Sequence, residues 1–118
     1  MAADRANKKV RSTVEEIRAA RIVPIVTIDD AARSDELAAA LLRGGITSVE
    51  ITLRTPEGLA AVSAFAVRGD ILVGAGTVLT PEQVEEAAGR GAQFVSFDLW
   101  EGGKYNVARS SGLNLISR

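Results

Sequence analysis

The side chains best placed for chemistry in this sequence are Glu50 and Arg54, in one apolar run, and Thr77, beside a glycine-rich stretch. The chain has no cysteine and no histidine. Their absence excludes thiolate nucleophiles, imidazole bases and Cys/His zinc sites. Acid and base chemistry must therefore come from carboxylates, lysines or hydroxyl groups, and the pattern around Glu50 is the most informative one.

Glu50 stands in the middle of an apolar run with the two-residue period of a β-strand. One face of that strand carries Val49, Ile51 and Leu53, and the other carries Ser48, Glu50, Thr52 and Arg54. A carboxylate in such a place costs several kcal/mol of desolvation unless it is paired, hydrogen-bonded or open to water. We therefore expect Glu50 to be an interior acid or base. The alternative is an ion pair with Arg54, although four residues along a strand span about 13 Å.

The segment Gly74-Ala75-Gly76-Thr77 follows the third apolar run and is interpreted as a glycine-rich turn at the carboxyl edge of the sheet. Backbone amides freed by two glycines, together with the Thr77 hydroxyl, could hold a carboxylate or a phosphate. The alternative is that Thr77 is an ordinary loop residue before Thr80. The residues themselves leave both interpretations open.

Strand and helix patterns alternate along the chain. Apolar runs begin near Ile22, Thr47, Ile71 and Ala92. A leading helix is predicted over Val10 to Ala20, and three more follow: from Asp29 or Asp30 to about Arg43, from Thr55-Pro56 to about Val67, and from Thr80-Pro81 to about Gly89. This alternation predicts an α/β fold in which parallel strands are joined by helical crossovers.

The charge balance argues against large charged partners. Fourteen basic and 15 acidic residues give a formal net charge of −1. No long-range field then draws the chain to nucleic acid or to a membrane surface. The amino terminus is polar, and no segment approaches the roughly 18 apolar residues of a membrane helix. We expect a cytoplasmic protein with neither a nucleic-acid nor a membrane partner.

Several motifs, taken together, resemble one enzyme family. They are Arg21-Ile-Val-Pro-Ile-Val26, Gly44-Gly45-Ile46, Glu50-Ile-Thr-Leu-Arg54-Thr-Pro, Gly74-Ala-Gly-Thr-Val-Leu79 and Gly91-Ala-Gln-Phe94. In this order and spacing they resemble the 2-keto-3-deoxy-6-phosphogluconate (KDPG) and 4-hydroxy-2-oxoglutarate aldolases. The resemblance covers residues 21 to 95.

The resemblance implies a trimeric (β/α)8 TIM barrel, of which this chain would hold about four βα units, a half-barrel after a leading helix. Such an enzyme cleaves KDPG to pyruvate and glyceraldehyde 3-phosphate through a lysine Schiff base, with no metal or other cofactor. By resemblance, Glu50 is the catalytic acid/base, and Arg54 and Thr77 bind the substrate carboxylate. The implied partners are a small 2-keto acid or sugar-acid phosphate and further copies of the chain.

The carboxyl-terminal part departs from the family pattern. Residues 1–95 are therefore predicted to form the half-barrel, and residues 96–118 to be an unmatched tail. The tail is either a loop with a short closing strand at Leu113 to Ile116 or disordered. The only lysines are Lys8, Lys9 and Lys104, and none follows an apolar strand. No Schiff-base lysine is identified, so we expect activity to be impaired in what looks like a truncated chain.

Two other interpretations remain. The chain could be a non-catalytic, self-associating half-barrel, since an unclosed sheet exposes its edges. It could also be a small flavodoxin-like open sheet, which the polar face of the second strand disfavours because a helix would bury Glu50 without a cavity.

Overall fold

The fold is one parallel sheet flanked by helices. The structure, a computed structural model, describes residues 13–97 and 112–117, with the backbone alone at residues 97 and 114–117. The five strands are β1 (Ile25–Val26), β2 (Ser48–Thr52), β3 (Leu72–Gly76), β4 (Phe94–Phe97) and β5 (Asn114–Ser117). The helices are α1, helical over residues 13–20, a 3-10 turn (Ala31–Arg33), α2 (Ser34–Arg43), α3 (Gly58–Arg68) and α4 (Pro81–Gly89).

The strands follow one another in the sheet in chain order, β1-β2-β3-β4-β5, and every neighbouring pair is parallel. Each helix between two described strands thus forms a crossover from one strand to the next, as in a barrel built from repeated βα units. The predicted parallel α/β architecture is confirmed. β5 also confirms the closing strand that was one of the two interpretations of the tail.

A left-handed glycine precedes each strand from β2 to β5. These glycines are Gly45, Gly69, Gly91 and Gly112, with φ between 72° and 96°. Glycine adopts this conformation without strain. Gly112 before β5 therefore has the backbone conformation of the glycines before β2, β3 and β4, although it lies in the segment predicted to be an unmatched tail.

The main core lies between the outer face of the sheet and the helices. Val49, Ile51, Val73, Ala75 and Val95 are buried on this face of the strands. The helices contribute buried side chains from α3 and α4, namely Ala61, Val62, Phe65, Val84 and Ala87. The opposite, inner face carries the residues with chemical potential.

Three local predictions need correction. Gly74 and Gly76 belong to β3 itself and not to a turn after it, and only Thr77 opens the loop. β1 is limited to Ile25 and Val26, although the apolar run predicted a longer strand. The preceding Pro24 lacks an N–H, so it joins the sheet only by accepting a hydrogen bond from the Glu50 amide.

The third correction concerns the start of α3, which begins at Gly58 and not at Thr55-Pro56. The Thr55 hydroxyl donates to the Ile28 carbonyl at 2.6 Å, so a contact with a distant loop replaces the predicted cap. The capping prediction for α4 is confirmed, because Thr80 accepts from the Gln83 amide and Pro81 is the first helical residue. Among the residues described, no helix is both long and apolar enough to cross a bilayer.

Candidate active site

Glu50 lies at the centre of β2, on the inner face of the sheet. Its side chain is buried, with the residue 4% exposed. The hydroxyl of Ser96 on β4 donates a hydrogen bond to Glu50 Oε1 at 2.7 Å, and Ser96 is itself fully buried. The hydroxyl provides one of the partners that a buried carboxylate requires, so an ion pair with Arg54 is not needed to explain why Glu50 is there.

The Glu50 carboxyl leans towards the carboxyl edge of the sheet. In the β2–β3 register Glu50 pairs with Gly74, yet its carboxyl group lies over Gly76, two residues further along β3. A Cβ on Gly76 would come within 2.8 Å of Glu50 Cδ. The aromatic ring of Phe94 occupies the space over Gly74, where a Cβ would lie 2.2 Å from the nearest ring atom. The two glycines therefore make room for two different side chains.

Arg54 and Thr77 meet at the carboxyl ends of the neighbouring strands. Arg54 follows the end of β2, Thr77 follows Gly76 directly, and Arg54 Nε lies 3.4 Å from Thr77 Oγ1. Arg54 is exposed and Thr77 is half-buried, so a ligand from solvent can reach both side chains. The Glu50 carboxyl lies over the residue adjacent to Thr77, which brings all three predicted site residues to one edge of the sheet.

The backbone of Thr77 is strained. Its φ is +55°, in the left-handed region, where a β-branched residue is a conformational outlier. Such a conformation costs about 1–3 kcal/mol and persists only when the surrounding structure enforces it. The surrounding structure therefore holds Thr77 in this conformation at the end of β3.

Hydrogen bonds between the segment after β1 and the segment after β2 stabilise the carboxyl edge of the sheet. Thr27 and Thr52 hydroxyl oxygens are 2.9 Å apart, and the Ala31 amide donates to Glu57 Oε1 at 3.3 Å. With the bond from Thr55 to Ile28, they tie the β1–α2 loop to the β2–α3 loop. Arg54 is therefore carried by a loop that is held at both of its flanks.

The described part of the chain contains no lysine. Lys8, Lys9 and Lys104 all lie outside the described residues. Among the residues that the structure does describe, no group of three or more acidic side chains is arranged to hold a metal ion.

Ser96 and Phe94 are inner-face residues to which the sequence analysis gave no role, and Gly76 makes room for a side chain where a backbone amide donor was expected. Ser96 lies two residues after Phe94, so the alternation of a strand puts both on one face. The register that brings Ser96 to Glu50 depends on the pairing of three strands, which no local pattern reveals.

The chain matches known aldolases in sequence. Residues 13–98 match the family model described as KDPG and KHG aldolase. A 2-dehydro-3-deoxy-phosphogluconate aldolase of Treponema pallidum is 43% identical over 82 residues, which are 69% of this chain and 39% of the relative. The chain thus spans less than half the length of that relative.

Solved structures give the same result. The KDPG aldolase of Zymomonas mobilis with 3-phosphoglycerate has a TM-score of 0.82 at 30% identity, over 92% of this chain and 52% of the other. The KDPG aldolase of Legionella pneumophila with pyruvate as a covalent carbinolamine has a TM-score of 0.75 at 33% identity, over 80% and 47%. Both of these relatives hold small molecules. The family match over residues 13–98 shows that this chain belongs to the KDPG and KHG aldolase family, and the structural likeness shows that it has part of a TIM-barrel fold, a half-barrel.

Proposed function

We propose that the carboxyl edge of this sheet binds the carboxylate of a 2-keto acid, and that Glu50 is the acid/base of a Schiff-base aldolase that cleaves KDPG to pyruvate and glyceraldehyde 3-phosphate. The observation that carries the proposal is the buried Glu50 carboxyl beside the Arg54–Thr77 contact. A proton-transfer group and a candidate carboxylate site then share one strand edge. The pyruvate bound covalently in the Legionella pneumophila relative supports the same ligand class.

Arg54 and Thr77 suit the carboxylate of the substrate. A guanidinium presents a planar pair of donors that matches the two oxygens of a carboxylate, and a hydroxyl adds a third donor. The two side chains are in direct contact across the strand ends, with Arg54 Nε 3.4 Å from Thr77 Oγ1. An anion that enters from solvent would replace this long contact with two shorter ones.

Glu50 would move protons at the carbons next to that carboxylate. In a Schiff-base reaction an amine adds to the 2-keto carbon, and the carbinolamine hydroxyl leaves as water after it receives a proton. The C4 hydroxyl then loses its proton and becomes a carbonyl as the C3–C4 bond breaks. The electron pair of the C3–C4 bond moves into the enamine between C2 and C3. A carboxyl group held in a buried place can donate the first proton and accept the second. The amine must come from a lysine outside the described residues.

Borohydride trapping tests the proposal directly. The chain is incubated with pyruvate and borohydride, and the intact mass is measured for the wild type, Glu50→Gln, Lys104→Ala and the control Lys8→Ala. We expect a reduced adduct that forms more slowly in Glu50→Gln, is lost in Lys104→Ala and persists in the control Lys8→Ala. A folded wild-type chain that gives no adduct would overturn the Schiff-base part of the proposal.

A second candidate function, the self-associating half-barrel, is favoured by the edge of the sheet. In the part of the chain that the structure describes, β1 lies at one end of the sheet, and Ile22 and Ile25 are 60% and 55% exposed. Exposed apolar side chains at a strand edge promote association. Sedimentation of wild type and Ile25→Lys tests association, and only the aldolase proposal also requires saturable binding of pyruvate. The family trimer and a cytoplasmic location stay predictions from the sequence.

A further inference from the structure

The hydrogen bond between Ser96 and Glu50 spans three strands. Glu50 is on β2 and Ser96 is on β4, with β3 paired between them. Two strands with a third between them lie about 9–10 Å apart. An ordinary side chain on the middle strand would fill the space between the side chains of the outer two. The bond passes over Gly76, where a Cβ would lie within 3.0 Å of Glu50 Cγ and Cδ. Glycine at this position is what lets the serine reach the carboxyl group.

Phe94 limits where else the carboxyl group can go. Its ring fills the space over Gly74, which is the register partner of Glu50 on β3. A glutamate side chain has three rotatable bonds, so its carboxyl group needs contacts to fix its position. The ring blocks the position directly across the strand, and the Ser96 hydroxyl holds the position nearer the carboxyl edge.

We propose that Ser96 is a positioning residue that holds the Glu50 carboxyl over Gly76, directed towards the Arg54–Thr77 edge. The inference deepens the proposed function, because Glu50 is useful as an acid/base only while its carboxyl reaches the bound substrate. A donor at 2.7 Å in a fully buried setting fixes Oε1, and with it the plane of the carboxyl group. Ser96 acts through Glu50 and does not itself need to touch substrate.

The first test observes the carboxyl group itself and needs no catalysis. Carbon-13 is introduced at Glu Cδ, and the Glu50 resonance is assigned by its loss in Glu50→Gln. We expect the resonance to move in Ser96→Ala and in the near-isosteric Ser96→Cys, and to return towards its wild-type position in Ser96→Thr. The matched control is Ser48→Ala, since Ser48 is fully buried on the same face of β2 and its Oγ has no hydrogen-bond partner among the described residues. A resonance that stays in place in folded Ser96→Ala and Ser96→Cys overturns the proposal.

The second test measures what the position does. Exchange of the pyruvate methyl protons with deuterated water is compared with the amount of borohydride-trapped adduct in each variant. Misplacing a reacting group by about 1 Å can cost on the order of 100-fold in rate. We expect Ser96→Ala to slow exchange by about 10- to 100-fold per adduct at an unchanged pyruvate affinity, with recovery in Ser96→Thr. Equal exchange per adduct in Ser96→Ala and wild type would overturn the role.

The two tests separate this inference from the proposed function. A wild-type chain that forms no adduct contradicts the Schiff-base proposal, whereas the Glu50 resonance still decides whether Ser96 holds the carboxyl group. A moved resonance with normal exchange shows a contact without a positioning role.

Discussion

Replacement of Gly74 by alanine tests how the inner face of the sheet is packed. The new Cβ would lie 2.2, 2.3 and 2.4 Å from Cε2, Cδ2 and Cζ of Phe94. Phe94 is fully buried, and an aromatic ring cannot fold away as the end of a flexible chain can. Either the ring or the β3 backbone must move.

The size of the effect follows from these distances. Carbon atoms in contact normally lie about 3.5–4.0 Å apart, so the ring must shift by more than about 1 Å. Overpacking of this kind costs about 1–3 kcal/mol of the free energy of unfolding. The smaller side chain of Phe94→Leu opens the space over Gly74. The two substitutions should therefore be coupled by about 0.5–3 kcal/mol, and the double variant should be more stable than the sum of the single losses predicts.

Equilibrium urea unfolding of the wild type, both single variants and the double variant measures this coupling. Gly89→Ala is the matched control, because a Cβ at this helical glycine meets no atom of the described residues within 4 Å. We expect that control to leave stability unchanged or to raise it by up to about 1 kcal/mol. Additive losses, or a Gly74→Ala variant as stable as the wild type, would refute the packing described for Phe94.

Three further substitutions give distinct outcomes. Gly76→Ala should lower stability in urea and move the Glu50 Cδ resonance, because the new Cβ takes the space of the Glu50 carboxyl and breaks its bond with Ser96. Thr77→Gly relieves about 1–3 kcal/mol of backbone strain and adds about 0.5–1 kcal/mol of glycine entropy cost, so the urea midpoint should hold or rise while pyruvate affinity falls. Thr80→Ala removes the α4 cap and should cost about 1 kcal/mol in the same assay.

Each of these has a result that contradicts it. An unmoved Glu50 resonance in Gly76→Ala would mean that the carboxyl does not lie over that glycine. A Thr77→Gly variant clearly less stable than wild type would remove the strain argument. Unchanged stability in Thr80→Ala would show that the hydroxyl contributes nothing at the start of α4.

Much of the fold follows from local patterns in the sequence. The alternation of apolar β-branched runs with capped amphipathic segments predicted the parallel strands and the helices between them. The prediction from the sequence was most accurate where the interacting residues are close together in the chain, as at Thr80, Pro81 and Gln83. It failed at Thr55, whose hydroxyl bonds to a carbonyl 27 residues earlier in the chain. The Ile28 carbonyl replaces the local cap as the partner of this hydroxyl, and a local sequence pattern cannot predict a partner so far away in the chain.

The candidate site was predicted in part for the same reason. The period-2 pattern was enough to place Glu50 on the polar face of its strand. The resemblance implied that Arg54 and Thr77 bind one carboxylate, and in the structure the two side chains are in contact. Gly74 and Gly76 were interpreted as donors of free backbone amides, whereas in the structure they lie within β3 and make room for Phe94 and Glu50. The side chain that occupies the space above a glycine comes from another strand. It can therefore be predicted only when the register between the strands is known.

A pyruvate titration followed by unfolding tests the proposed carboxylate site most directly. The wild type, Arg54→Ala and the control Arg90→Ala, which removes an exposed arginine at the helix end that precedes β4, are unfolded at rising pyruvate concentrations. If Arg54 holds the carboxylate, pyruvate should stabilise the wild type and Arg90→Ala saturably, by about 2.7 kcal/mol at 100 times the Kd, and should not stabilise Arg54→Ala. No saturable stabilisation of the folded wild type, or an equal response in Arg54→Ala, would contradict a carboxylate site at this edge of the sheet.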